Sequence, residues 1–205
     1  MLFKNHYQTQ LNNRIKNCEG CILRDNPGPV LGYGNFSADI MFIADKPGPV
    51  EAKTGIPFTG RAKDSIVNML KKLNLMKGDY YFTYFFKHTL REDQSLDSVG
   101  HANCFKNILY EIELVNPRII CSMGFYITRF LTKSYGMSIV NDSLRDIHGN
   151  AYIAPMKIVR SKTVRPKRYL VPTWSPSISN EVMHSHFKKD VLTINSILKF
   201  NMLLF

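Results

Sequence analysis

Three groups of residues carry chemistry by their type and spacing. The first is a loop. The apolar run ADIMFIA (38–44) ends at Asp45, and the loop that follows, DKPGPVEAKTGIPFTGRA (45–62), is polar and rich in proline and glycine. Phe58 stands inside it between Pro57 and Thr59. Read from the residues alone, a large ring in such a loop is a core side chain. The second group is cysteine. Cys18 and Cys21 form Cys-Glu-Gly-Cys, a spacing that serves either a metal or a redox pair. Cys104 and Cys121 complete a set of four. The third is charge. Lys+Arg 27 against Asp+Glu 16 leaves a net +11, and KIVRSKTVRPKRY (157–169) carries cations and no acid. A clustered excess of this kind points to nucleic acid ahead of mere solubility.

These residues need elements to position them. Ile-rich ADIMFIA, aromatic DYYFTYFFK (79–87), RIICSMG (118–124) and RYLVPTW (168–174) read as buried strands. Between them lie helical patterns. AKDSIVNMLKKLNL (62–75) puts Ile66, Met69, Leu70 and Leu73 on one face, and 102–116 stops before Pro117. FYITRFLTKSYG follows the third strand, and a long C-terminal helix closes the chain within 176–205. The first 25 residues read as a helix, with Leu11 and Ile15 one turn apart, running into the Cys-x-x-Cys turn. Strands alternating with helices predict an α/β fold: a three-layer α/β/α sandwich around a mostly parallel four-stranded sheet, in one domain over 1–205. In such sheets the site lies beyond the carboxyl ends of the strands, here after Ala44, Lys87 and Trp174. No run is long and apolar enough for a membrane span, and the N-terminus lacks the apolar core of a signal peptide. The expectation is a cytoplasmic or nucleoid-associated monomer whose cysteines form no structural disulfides.

Several stretches, in order, resemble one family. GNFSADIMFIADKPGPVEAKTGIPFTGRA (34–62) is similar to the first motif of the uracil-DNA glycosylase superfamily, closest to its iron–sulfur branch, family four, and the UdgX-like relatives. Pro47, Gly48, Gly55, Pro57, Phe58, Gly60 and Ala62 fall on the motif G-E-x-P-G followed by G-x-P-F-x-G-x-A. YYFTYFFKH (80–88), PRIICSMG (117–124) and VPTWSPS (171–177) resemble three shorter motifs, and the likeness runs from about Cys18 to Leu198. It implies that Phe58 stacks on a base flipped out of the duplex, which regains there the stacking it has lost.

The chain departs from the family at three positions. Asp45 replaces a glutamate that, in the family, positions water and offsets positive charge on the sugar; the resemblance implies the same catalytic role for Asp45, ahead of merely capping the loop. Tyr84 replaces a base-reading asparagine. A single hydroxyl cannot reproduce a donor–acceptor pair, and the larger ring has the size to fill the pocket. Ser175 replaces a histidine that donates to the base carbonyl, and losing one such donor costs about 10² to 10³ in rate. His101 and His148 are the other available donors, each read as an ordinary surface histidine.

The resemblance also implies a four-iron four-sulfur cluster on Cys18, Cys21, His88 and Cys104. Three thiolates and an imidazole suit a structural zinc as well. Cys121, inside a strand, reads as core. The loop after His88, TLREDQSLDSVGHAN, lacks the basic run associated with covalent capture in the UdgX-like branch. Arg61, Lys162, Arg165, Lys167 and Arg168 are the expected phosphate contacts. Two functions remain open. One is a monofunctional glycosylase excising uracil or a modified pyrimidine in repair or DNA modification. The other is an inactive DNA-binding or replication accessory protein on the same fold.

Overall fold

The computed structural model describes residues 2–19, 23, 27–89, 101–154, 168–177 and 181–202. Among the described residues six strands form one sheet: β1 (Tyr33–Gly34), β2 (Ile40–Ala44), β3 (Tyr80–Tyr84), β4 (Ile119–Met123), β5 (Tyr152–Ala154) and β6 (Arg168–Thr173). Their order is β1-β3-β2-β4-β6-β5. The four strands expected from sequence are the parallel centre. The sheet is wider than the expected four, because β1 and β5 each add an antiparallel edge. These two run for two and three residues and are half-exposed, so no apolar run marks them.

Helices cover both faces. The helices are α1 (Leu2–Lys16), α2 (Pro49–Thr54), α3 (Lys63–Lys72), α4 (His101–Val115), α5 (Phe125–Ser134), α6 (Leu144–Ile147) and α7 (Glu181–Met202). Alternate residues of the central strands feed two apolar layers. Met41, Ile43 and Ile120 meet Leu11, Ile108, Ile112 and Ile127 from α1, α4 and α5. Ile40, Phe42, Cys121 and Val171 meet Ile66, Met69, Phe187 and Ile194 from α3 and α7. Cys121 is fully buried there, as expected of a core residue.

One ion pair lies inside this packing. Lys87 donates to Glu111 at 2.6 Å and also to Thr83. Tyr81 and Thr83 donate to the same carboxylate. Glu111 is 0% exposed, so its charge is answered entirely by these donors, and they tie β3 to α4.

Candidate active site

The parallel register aligns the strand ends. Tyr84 and Met123 flank Ala44, and Thr173 is opposite Met123. The residues that end or follow these strands therefore share one edge. Strand order reverses between β2 and β4, and a doubly wound sheet opens its crevice at such a reversal.

Loop 45–62 builds the wall of that crevice. Pro49 starts α2 with its φ already helical, and Gly55 ends it in the left-handed region at φ 70°. Gly48 and Gly60 close around Glu51; a Cβ at Gly60 would lie 2.9 Å from its Oε2. The Gly60 N–H donates to Glu51 Oε1 at 2.9 Å. Phe58 is then held at φ 55°, a conformation rare outside glycine. The turn aims its backbone N–H at the Tyr84 hydroxyl, 3.0 Å away. The two rings stack with centroids 5.0 Å apart and planes 28° from parallel, and Phe82 closes on Phe58 from 4.8 Å. Phe58 is 6% exposed and Tyr84 2%. Burial raises the Tyr84 phenol above its ordinary pKa, so it stays neutral.

Asp45 holds the opposite wall. Its Oδ1 accepts the Ile127 N–H at 2.7 Å, and its Oδ2 the Tyr126 N–H at 3.4 Å. The α5 N-cap is Gly124, which offers no side-chain oxygen, so Asp45 caps this helix from another strand. Gly124 is required here: a Cβ would lie 2.5 Å from the carboxylate, and its φ is 130°. Burial raises the Asp45 pKa from 3.8 to about 6, opposed by the Ile127 and Tyr126 N–H groups and by Lys46.

Asp45, Glu51, Phe58, Arg61, Tyr84 and Ser175 line one cavity of about 530 Å³. Ser175 reaches it from the end of β6, where its Oγ accepts the Ser177 N–H at 3.4 Å. Pro47, Gly48 and Gly60 also line this cavity. Gly55 contributes the turn that ends α2. Glu51 went unrecognised in the sequence; its only signal was an acid in the first turn of a six-residue helix.

Two expectations change. His148 is not a surface histidine. Its Nδ1 meets Asp190 at 2.6 Å, and its side chain is 6% exposed. Asp190 also accepts the Trp174 N–H at 3.0 Å, which fixes the backbone before Ser175. Arg168 is not at the surface either, so the phosphate contact expected of it is not available. It is 4% exposed, and its guanidinium donates to Pro117 O, Asn116 Oδ1 and Tyr135 Oη. Lys162, Arg165 and Lys167 lie outside the described residues, as does the side chain of His101.

Of the four expected metal ligands, Cys21 also lies outside them. Among the described residues no group of three or more His, Cys, Asp or Glu side chains gathers as a metal site. Cys18, Cys104 and Cys121 form no disulfide, and His88 is buried, which lowers its pKa and keeps the imidazole neutral.

The family model described as the uracil DNA glycosylase superfamily matches residues 31–199, taking in every element of this edge. The chain belongs to the uracil-DNA glycosylase superfamily. A type-4 uracil-DNA glycosylase of Thermotoga maritima is 29% identical over 168 residues, covering 82% of this chain and 80% of the relative. A type-4 uracil-DNA glycosylase of Saccharolobus solfataricus is 28% identical over 182 residues, covering 86% and 82%. Both names agree with the family-four branch indicated by the first motif. A DNA polymerase of Bacillus phage SP01 is 26% identical over 143 residues, which are 69% of this chain and 15% of the polymerase. Within the superfamily's common frame, Tyr84 now has a geometric meaning. It stacks on one face of Phe58.

Proposed function

We propose that this chain is a monofunctional DNA glycosylase that flips uracil or a modified pyrimidine out of DNA and hydrolyses its N-glycosidic bond. One observation carries the reading: Asp45, Phe58, Tyr84 and Ser175, drawn from three separated stretches of sequence, line a single cavity beside the reversal in strand order. The relatives named type-4 uracil-DNA glycosylases support uracil as the substrate class.

In this reading Asp45 acts as the carboxylate. The α5 N–H groups hold it in place, and it orients water and offsets positive charge on the sugar as the bond breaks. Tyr84 withdraws from Phe58 so that the base can take its place. Ser175 Oγ is the hydroxyl available to the base carbonyl, a weaker donor than the family's histidine. Arg61, an exposed residue lining the cavity, and the basic stretch with Lys162, Arg165 and Lys167 meet phosphate.

Cys18, Cys21, His88 and Cys104 are the residues that would hold a four-iron four-sulfur cluster; zinc is the alternative for the same donors. Cysteines held in no disulfide and a neutral buried imidazole fit either metal. The metal's contribution would be structural, tying the N-terminal helix to α4. Arg14 already lies over the Tyr110 ring, 5.9 Å from its centroid. No described helix is long and apolar enough to cross a membrane, and we place this single-domain protein inside the cell as a monomer.

A second reading is a catalytically inactive DNA-binding or replication accessory protein. Two observations favour it: Tyr84 covers Phe58, and a relative of this domain is part of a phage DNA polymerase. Incubation with labelled single- and double-stranded oligonucleotides containing uracil, hypoxanthine or 5-substituted pyrimidines, followed by alkaline cleavage, separates the two. Cleavage at one modified site supports the enzyme. Salt-sensitive binding with no cleavage at any supports the accessory protein.

A further inference from the structure

We infer that Phe125 and Tyr126, with Arg129 beside them, form a stacking surface for unpaired bases of the DNA strand next to the flipped nucleotide. The inference rests on the DNA reading above.

The two residues open α5, directly beyond the carboxyl end of β4. The N–H groups of Tyr126 and Ile127 donate to Asp45, so this first turn borders the base cavity. Ile127 turns into the core at 0% exposure, whereas Phe125 is 45% exposed and Tyr126 41%. They meet edge to face, 5.7 Å between centroids and 77° between planes, so the two rings are not stacked on each other. A first helical turn favours acids, because its free N–H groups and dipole are positive. Here it holds none, and two rings stand in water instead.

Charge selects the occupant. The only charged side chains of α5 are Arg129 and Lys133. The Arg129 guanidinium lies 5.9 Å from the Phe125 centroid, a cation–π arrangement that leaves it one turn from the rim. Lys46 and Arg61 border the same cavity. Flat rings beside cations, on a helix that carries no acid of its own, match a nucleotide, which offers a π-face and a phosphate together. In intact duplex the base faces are covered by their neighbours. Where a nucleotide has been flipped out, the flanking bases lose a stacking partner and can be received by these rings.

The test uses the full chain and two DNA probes: a single-stranded oligonucleotide, and a duplex with an abasic site flanked by 2-aminopurine, whose fluorescence is quenched by stacking. Wild type should bind both and quench the probe. Phe125→Leu combined with Tyr126→Leu keeps apolar bulk but removes the rings. It should weaken single-strand binding about fivefold to a hundredfold and abolish the quench, with the salt dependence unchanged. Arg129→Gln should keep the quench and lower the salt slope by about 0.7 on single strands. The surface is overturned if the double-leucine protein, shown by circular dichroism to be folded, binds and quenches as wild type does. A wild type that binds DNA without quenching overturns it too. If wild type binds no DNA at low salt, the DNA reading itself falls, and this surface with it.

Discussion

The Tyr84 hydroxyl accepts the backbone N–H of Phe58 at 3.0 Å while the two rings lie stacked, 28° from parallel. One side chain thus supplies what a bound base would supply, a flat face and a hydrogen-bond acceptor. The contact also holds Phe58 at φ 55°. Tyr84→Phe keeps the ring and removes the acceptor, leaving a buried N–H unpaired. The expected loss is about 1–3 kcal/mol of stability, read as a lower urea midpoint with an unchanged slope.

Asp45 caps α5 and, in the proposed reaction, supplies the carboxylate, and substitutions can separate the two. Asp45→Asn retains an oxygen for the Ile127 N–H and should fold normally while losing excision. Asp45→Ala removes the cap of α5 and should also cost about 1 kcal/mol in stability.

The two protonation states of Asp45 give opposite pH trends. Folding raises its pKa from 3.8 to about 6. Its contribution to stability is therefore greatest below about 3.8 and declines as pH rises toward 6. The proposed reaction needs the carboxylate. Single-turnover excision by wild type should rise through pH 6 and level off above it, and a rate flat from pH 5 to 8 would remove Asp45 from the chemistry.

Lys87 and Glu111 form a buried pair that is costly to halve. Glu111→Gln or Lys87→Met leaves a charge without its partner and should destabilise by about 3–5 kcal/mol in chemical denaturation. Lys87→Met combined with Glu111→Gln should recover much of that loss, because neither charge then remains buried and the amide oxygen can still accept from Tyr81 and Thr83.

The parallel centre of the sheet was legible because Ile40–Ala44 and Ile119–Met123 are buried on both faces and read as continuous apolar runs. The edges were not, since Tyr33–Gly34 and Tyr152–Ala154 are too short to carry a pattern. The first motif located the cavity, and Asp45, Phe58 and Ser175 line it. What could not be read was which partner each polar group takes. Arg168 closes a cationic run in sequence, yet β6 carries it inward to Asn116, Pro117 and Tyr135. His148 finds Asp190 across 42 residues, a pairing set by α7 packing on β6. Glu51 gains meaning only once Gly48 and Gly60 fold around it.

The metal has a direct readout. Protein purified without oxygen should be brown and contain about four irons per chain. Cys104→Ala should lose both iron and stability, because an incomplete ligand set leaves folding without its metal. One zinc and no iron would assign the donors to the alternative.

Restoring the family's residues tests the central claim most directly. In a single-turnover assay on uracil-containing oligonucleotides, Tyr84→Asn frees the face of Phe58 and returns a donor–acceptor pair to the base edge. Ser175→His returns a donor to the carbonyl. Both act on a base already flipped, so the double variant should excise uracil at least about 10²-fold faster than wild type at similar DNA affinity. Adding Asp45→Asn should erase the gain. A folded, DNA-binding double variant that excises uracil no faster than wild type would contradict the account.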